Sequence, residues 1–166
     1  MKISNRNLTI FLFFTCLLSR VATSIFYIED IDSLRFALSL HEFNVLKLQP
    51  HFPGYPVFIV LAKGIYFITK SMGITFSIIG GLSLFVLIIF TLKLFYLKLN
   101  SVQGLLCAFL LFLNPFFWLM SNRYMPDLMG LCVSIASLFF LTISTNRLRL
   151  LLIGFFLVGI LCGTRL

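Results

Sequence analysis

The sequence predicts an all-α integral membrane protein, a multispanning helical bundle of about five spans with an amphipathic helix in its first outer loop. Of its 166 residues, 60% are hydrophobic and 11% are charged, whereas roughly a quarter of the residues of a soluble domain are charged. The mean hydropathy of +1.09 agrees with this difference. Long apolar runs alternate with short polar intervals, and a helix needs about 20 such residues to cross a bilayer.

The acidic residues are concentrated in one segment. The chain has five of them: Glu29, Asp30, Asp32, Glu42 and Asp127. Four therefore fall within residues 29–42, between apolar runs. We expect residues 29–73 to form the first non-cytoplasmic loop, because carboxylates gathered at a membrane edge indicate chemistry there.

The net charge of +8 does not indicate a nucleic-acid partner. A nucleic-acid surface needs clustered Lys and Arg, whereas here they occur in ones and twos between apolar runs. We interpret them as cationic anchors that contact anionic headgroups of the lipid bilayer. The four cysteines each lie inside an apolar run without metal-ligand spacing, so they predict neither a zinc site nor a disulfide framework.

Residues 8–28 are predicted to form the first span, with the amino terminus in the cytoplasm. A cleaved signal peptide is the alternative, since the basic start and the small residues Ala22 and Ser24 are typical of one. Arg20 would lie toward the outer end of this span. There it would either extend its side chain to the interface or face an anionic ligand.

Residues 31–45 have an amphipathic pattern, with Asp32, Arg35 and Glu42 on one stripe, and predict a helix lying flat on the membrane. Residues 47–56 contain three prolines and a glycine, which predict a tight turn. The apolar run 57–69 would be only about 20 Å long as a helix, against a hydrocarbon core of about 30 Å. We expect it to lie at the outer interface.

The remaining spans are predicted at residues 74–92, 105–120, 128–143 and 150–162. With this topology all five acids lie outside. The clearest cationic pairs lie inside, and they are Lys2 with Arg6, Lys93 with Lys98, and Arg147 with Arg149. If residues 57–69 cross the membrane instead, every later segment is inverted. We predict a multi-pass protein of the cell membrane, plasma or inner.

Asp32 is the strongest candidate for a catalytic group. It begins an amphipathic helix and shares a stripe with Arg35 near a proline-fixed turn, and a base held on rigid elements can act on one bound hydroxyl. Glu29 and Glu42 have the ordinary interpretation of solvated or paired carboxylates.

Three motifs resemble those of GT-C glycosyltransferases, the polytopic enzymes that include protein O-mannosyltransferases and lipid A aminoarabinose transferases. Residues 32–37, with the sequence DSLRFA, resemble the Asp-Glu-x-Arg-Tyr-Ala type motif of the first outer loop. Residues 51–56, HFPGYP, resemble the His/Lys-Pro-Pro turn, and residues 115–127 resemble the second outer acidic site. The resemblance covers nearly the whole chain but only the amino-terminal part of the family fold, so we expect residues 1–166 to be a single transmembrane module and an amino-terminal fragment.

The resemblance implies transfer of a sugar from a polyprenyl-phosphate donor to a hydroxyl of a lipid, glycan or protein acceptor at the outer face. Asp32 would be the general base. The substrate-binding residues would be Arg35, His51, Tyr55, Arg123 and Asp127. Among these, Arg35 and His51 would hold the phosphate and Asp127 would place donor or acceptor.

No cofactor is firmly predicted, although a divalent metal on Asp30 and Asp32 is an open alternative. The competing functional hypothesis is a non-catalytic membrane subunit or a transporter-like protein. Transporters place ionisable groups within their spans, often at broken helices, whereas the acids here cluster between spans.

Overall fold

The computed structural model describes residues 4–144 and 147–165. Within these residues the chain forms α-helices and one short 3-10 turn, Val45–Lys47, without a β-strand. The helices are α1 (Asn5–Ala22), α2 (Ile31–Ser39), α3 (Pro56–Thr69), α4 (Met72–Leu94), α5 (Val102–Leu113), α6 (Pro115–Asn122), α7 (Asp127–Thr142) and α8 (Leu148–Thr164). The all-α prediction is confirmed. Lys2 lies outside the described residues.

The starts of four helices are set by capping side chains. Each cap accepts a hydrogen bond from a backbone N–H two or three residues later, which satisfies a donor that the first turn leaves free. The caps of α2, α4, α5 and α6 are Asp30, Ser71, Ser101 and Asn114. These starts are therefore encoded locally.

Five helical legs run in alternating directions: α1, α4, the α5–α6 pair, α7 and α8. At one end of the bundle Asn122 Nδ2 donates to Thr23 O at 2.8 Å, which joins the end of α6 to the end of α1. At the same end Arg165, after α8, contacts Asp127 at the start of α7 at 2.9 Å. Because all five acids lie in helix ends and loops on this side, we call it the acidic end.

The opposite end carries only cations. Lys93 at the end of α4 lies over the Phe139 ring near the end of α7. Leu99, just before α5, packs in one cluster with Leu8 of the first turn of α1. We call it the cationic end, and it holds Arg6, Lys93, Lys98, Arg147 and Arg149.

Helix α4 is central and packs against α1, α6 and α7. Gly80 makes the contact with α6 very close, since a Cβ at this position would overlap the backbone of Ser121. Such a close approach of two backbones is a common reason for a glycine within a helix that packs on others.

Helix α3 lies across the start of α4. Phe58, in the first turn of α3, stacks on Phe76 with ring centroids 5.9 Å apart, and Thr69, in its last turn, hydrogen-bonds Thr75 at 2.7 Å. Both ends of α3 thus contact the first five residues of α4. A helix running alongside α4 would instead place Phe58 beside a residue about three turns further along.

Few of the described helices are both long and apolar enough to cross a membrane. Met72–Leu94 is long and apolar enough to cross a membrane, and the pair Val102–Leu113 and Pro115–Asn122 qualifies as well if it is counted as one span bent by 54°. Helices α7 and α8 have 16 and 17 residues, or about 24 and 26 Å. The number of about five spans stays a prediction.

Two predicted boundaries were wrong. The first helix ends at Ala22 instead of continuing to residue 28, and α2 ends at Ser39 instead of continuing to residue 45. A tertiary contact explains the first, since Tyr124 OH donates to Ile25 O at 2.6 Å. The segment after α1 is thereby held in a non-helical path toward α2.

Arg20 is fully buried, so the first of its two predicted placements, with the side chain extended to the interface, was wrong. Its guanidinium lies 3.7 Å from the centre of the Trp118 ring and donates to Phe112 O at 3.3 Å. Phe112 is in the last turn of α5, where Pro115 interrupts the helix and carbonyls lose their N–H partners. A cation at a helix carboxyl end is favourable, so Arg20 stabilises the break between α5 and α6.

Candidate functional site

A polar pocket of about 320 Å³ opens at the acidic end. Its walls come from α2, the turn before α3, α6, the α6–α7 connection, the start of α7 and the residue after α8. They are formed by Asp32, Phe36, His51, Phe116, Met120, Arg123, Met125, Asp127 and Arg165. The pocket thus unites residues that lie more than 100 positions apart in the chain.

Asp32, in the first turn of α2, lies at the rim of the pocket. The turn is fixed by the Asp30 carboxylate, which accepts a hydrogen bond from Ser33 N–H at 2.7 Å. Asp32 Oδ1 accepts from Arg35 Nη1 at 3.1 Å, and the side chain of Asp32 remains 43% exposed. Asp32 is therefore oriented by one ion pair yet open to a bound molecule.

His51 connects Asp32 to the loop before α3. Its Nδ1 lies 3.6 Å from Asp32 Oδ1, which is an ion-pair distance but too long for a hydrogen bond. Consistent with that distance, Nδ1 is buried without a hydrogen-bond partner. The other ring nitrogen, Nε2, is 3.1 Å from Tyr55 OH. The imidazole thus faces Asp32 with one nitrogen and Tyr55 with the other.

Tyr55 lies behind His51 and does not face the pocket. It is buried, and its ring packs against Phe36 at a centroid distance of 5.2 Å. It does not line the pocket, so the predicted substrate-binding role at this position is not supported by the geometry. Its hydroxyl instead orients His51.

Arg123 connects the α6–α7 connection with the segment just before α2. From the α6–α7 connection it donates through Nε to Glu29 at 3.0 Å and through Nη2 to Asp30. Burial by itself raises the pKa of Asp30. The Ser33 N–H and the Arg123 guanidinium outweigh that effect, and the pKa of Asp30 is lowered from its ordinary value.

Asp127 lies in the first turn of α7, where a helix amino terminus favours a negative charge. Its carboxylate is paired with Arg165 Nη2 at 2.9 Å. Arg165 was not among the predicted site residues. The two residues are 38 positions apart and carry no local motif in common, so only the packing of α8 on α7 brings them together.

The charges around the pocket are nearly balanced. Each guanidinium is already engaged, Arg35 with Asp32, Arg123 with Glu29 and Asp30, and Arg165 with Asp127. Four carboxylates thus face three guanidiniums. An anionic ligand must therefore displace at least one carboxylate from its guanidinium.

The open alternative of a metal on Asp30 and Asp32 is not supported by the placement of Asp30. Its carboxylate caps α2 and binds Arg123, which leaves little capacity for a cation. Among residues 4–144 and 147–165, no group of three or more His, Cys, Asp or Glu side chains is arranged to hold a metal ion.

Comparison with known proteins gave no match: no family model, curated protein or solved structure is similar to this chain. The GT-C resemblance therefore stays a prediction, and the functional argument depends on the site itself. Of the residues predicted for it, Asp32, His51, Arg123 and Asp127 line one pocket, and Arg35 contacts Asp32 from its edge.

Proposed function

We propose that the chain is a membrane-embedded bundle whose five legs each cross the bilayer. The support is the composition of its outer surface. Large aromatic side chains on three legs, among them Phe11, Phe109, Phe155 and Phe156, are more than half exposed, and contiguous exposed apolar surface of this kind is rare on soluble proteins. Helix α2 adds an exposed apolar face of its own, with Ile31, Leu34 and Leu38.

Within that membrane placement, we propose a glycosyltransferase of the GT-C type, which moves a sugar from a polyprenyl-phosphate donor to an acceptor hydroxyl at the non-cytoplasmic face. The observation that carries the proposal is the pocket at the acidic end. It brings a half-exposed carboxylate, Asp32, together with His51, Arg123 and Asp127. A lipid-linked donor could reach this pocket from the bilayer along Phe116, an exposed apolar residue of its wall.

In this mechanism Asp32 accepts the proton of the acceptor hydroxyl as the hydroxyl oxygen attacks the anomeric carbon. The bond from that carbon to the phosphate oxygen breaks, and polyprenyl phosphate leaves with the bonding electrons. Arg35 holds Asp32 in place through the ion pair of 3.1 Å. General bases of this kind contribute about 10²–10⁴-fold in rate.

The donor phosphate needs a cationic partner, but each guanidinium at the pocket is already paired with a carboxylate. We propose that Arg165 supplies it by exchanging Asp127 for the phosphate, since Arg165 is the most exposed of the paired guanidiniums, at 44%. Guanidinium binds both carboxylate and phosphate, so phosphate can replace the carboxylate as the ion-pair partner of Arg165. Asp127 would then be free to bind hydroxyls of the sugar or the acceptor.

The test is sugar transfer by the purified protein in lipid nanodiscs, with polyprenyl-phosphate sugars as donors. Asp32→Asn keeps the shape of the side chain and removes its charge, so we expect transfer to fall about 10²–10⁴-fold with normal expression. The matched control is Glu42→Gln. Glu42 lies in the same loop and is also paired, with Lys47 at 2.8 Å, but it does not line the pocket.

Full activity of Asp32→Asn, or an equal loss in Glu42→Gln, would contradict the role of Asp32. Absence of transfer by the unaltered protein with every donor tested would favour the second function instead.

The second candidate function is a transporter-like protein or membrane subunit, and one observation favours it. The α5–α6 pair is bent by 54°, and a fully buried cation, Arg20, contacts the end of α5 at the break. Broken helices with nearby charge are typical of transport sites. Ligand uptake into proteoliposomes that is lost in Arg20→Met but kept in Asp32→Asn would identify this function.

A further inference from the structure

Tyr55, behind the polar pocket, has an unusual backbone conformation for a tyrosine. Its φ of 47° lies in the left-handed region, which is unfavourable for a bulky side chain and persists where the surrounding structure imposes it. Of the non-glycine residues with a positive φ in the described parts of the chain, Tyr55 is the buried one. The left-handed backbone therefore serves a side chain that points into the protein.

The Tyr55 hydroxyl reaches one hydrogen-bond partner among residues 4–144 and 147–165, the Nε2 atom of His51 at 3.1 Å. Phe36 packs against both rings, with centroid distances of 5.2 Å to Tyr55 and 5.6 Å to His51. The imidazole is thus held from behind the pocket by a hydrogen bond and by aromatic packing.

The hydrogen on the neutral His51 ring is placed by the carboxylate of Asp32. If Nε2 carried this hydrogen, the lone pair of Nδ1 would face Asp32 Oδ1 at 3.6 Å, and two acceptors would lie opposite each other. With the hydrogen on Nδ1, the ring faces the carboxylate as a donor, and a small movement brings Nδ1 to hydrogen-bond distance. The Tyr55 hydroxyl can donate or accept, so it then donates to Nε2.

One oxygen of Asp32 consequently receives both donors. Arg35 Nη1 is 3.1 Å from Oδ1, and His51 Nδ1 faces the same atom. In the described parts of the chain no side chain hydrogen-bonds the second oxygen, Oδ2. Since the Asp32 side chain is about half exposed, Oδ2 is the oxygen that is open to a substrate hydroxyl.

We propose that His51 is a positioning residue for Asp32 and that Tyr55 holds its ring in place. His51 has this role only if the chain is the glycosyltransferase proposed above. His51 and Arg35 hold Oδ1, while Oδ2 takes the proton of the acceptor hydroxyl during transfer. A catalytic group loses rate when its support is loosened, even if the group itself is intact. In this assignment His51 serves the base and does not hold the donor phosphate.

The hydrogen position on His51 can be measured without sugar transfer. The chain has two histidines, and His41 is exposed, so His41→Gln leaves His51 as the single imidazole. The ring nitrogens of the full chain, isotopically labelled and in lipid nanodiscs, are recorded by NMR at a pH where the ring is neutral. We expect the hydrogen on Nδ1, whereas a neutral histidine in water carries it mainly on Nε2. Hydrogen mainly on Nε2 would overturn the proposal.

Tyr55→Phe keeps the ring and removes the donor. The resonance of Nε2 should therefore move toward that of an acceptor nitrogen without a hydrogen bond. The matched control is Tyr66→Phe, the same substitution at a residue of α3 that does not line the pocket, and it should leave the His51 spectrum unchanged. An unchanged Nε2 resonance in Tyr55→Phe would contradict the role of Tyr55.

In the transfer assay Tyr55→Phe should lower kcat between about twofold and tenfold, the range of one net hydrogen bond. The KM for the donor should stay unchanged, because Tyr55 does not line the pocket. His51→Asn keeps an N–H near the position of Nδ1 but has no atom at Nε2. In the His51→Asn background Tyr55→Phe should therefore have no further effect on kcat, since the two residues act as one unit. A full additional loss there, or a raised KM with unchanged kcat, would refute the positioning role.

The two kinds of failure are distinguishable. Unaltered protein that transfers no sugar would overturn the proposed function, and the catalytic role of His51 with it. Active protein whose His51 hydrogen lies on Nε2 would overturn the role of His51 alone. If Tyr55→Phe does not fold, the comparison of His51→Asn with His51→Ala decides, because only the asparagine offers a donor to Asp32 and equal losses of kcat would exclude the proposal.

Discussion

The two ends of the bundle differ in the length of their connections and in whether their cationic side chains are paired with carboxylates. At the acidic end a long connection, residues 23–55, joins α1 to α3, and every cation there that contacts the pocket is paired with a carboxylate. At the cationic end the connection 95–101 is short. Its lysines have no acidic partner among the described residues, and Lys93 instead lies over the Phe90 ring at 5.0 Å.

We interpret this difference as that between a proposed ligand site and a proposed membrane anchor. Paired charges at fixed distances cost conformational freedom and are retained where a ligand must be oriented. Unpaired lysines and arginines at helix ends need only a headgroup region or water. The same residue types therefore have different functions at the two ends, and measurements that compare matched residues at each end test this interpretation.

The largest expected difference is in accessibility across the membrane. Leu46, in the loop at the acidic end, and Tyr96, at the cationic end, are 97% and 85% exposed. After replacement of Cys107 and Cys162 by serine, Leu46→Cys should react with a membrane-impermeant thiol reagent in intact cells, and Tyr96→Cys only after permeabilisation. Labelling of both in intact cells would contradict the proposed orientation of the bundle.

A smaller difference, in the free energy of unfolding, is expected when one tyrosine hydroxyl is removed at each end. Tyr124 is buried and donates to Ile25 O, whereas Tyr96 is exposed. Burial, and secondarily Glu29, raises the pKa of Tyr124 from its ordinary value, so this phenol keeps its proton at neutral pH. Tyr124→Phe retains the stacking on Phe76 at 4.5 Å and removes only the hydrogen bond.

We expect Tyr124→Phe to lower the free energy of unfolding by about 1 kcal/mol, or the midpoint of thermal unfolding by roughly 2–4 °C. Tyr96→Phe should change it by less than about 0.5 kcal/mol. The reaction of the buried thiols Cys16 and Cys132 with a fluorogenic reagent during heating in detergent provides the measurement. Equal shifts in the two variants would show that the Tyr124 contact adds no stability.

The smallest expected effect is a pH dependence confined to the acidic end. Because the pKa of Asp30 is lowered in the folded state, its contribution to stability is present above the ordinary aspartate pKa of about 4 and is lost as pH falls through the folded value. The thermal midpoint of the unaltered protein should therefore decrease on acidification below about pH 4. Asp30→Asn should show a shallower decrease, since Asn still caps α2 but no longer titrates.

Arg6→Gln, at the cationic end, is the control for that experiment and should follow the unaltered protein throughout the acid range. A pH profile of Asp30→Asn identical to that of the unaltered protein would mean that the ion pair with Arg123 does not contribute to stability.

Much of the architecture was predictable because its causes are local. Composition and apolar runs determine helices, and capping residues such as Ser71 and Ser101 determine where they start. The interruption near residues 114 and 115 follows from a proline that cannot donate a hydrogen bond. The concentration of acids in residues 29–42 also indicated which part of the chain forms the candidate site, with Asp32 at its rim.

Other features depend on tertiary structure, because they join residues whose separation in the chain carries no pattern. Arg165 reaches Asp127 only through the packing of α8 on α7, and Arg20 is buried only because the break between α5 and α6 presents carbonyls and Trp118 to it. Tyr55 has a motif position typical of a ligand contact, yet packing against Phe36 turns it inward toward His51. The sequence by itself determined the helices, their caps and the clustering of acids. Only the packing of the helices decided which charges meet, because a pairing energy depends on distances that no local pattern encodes.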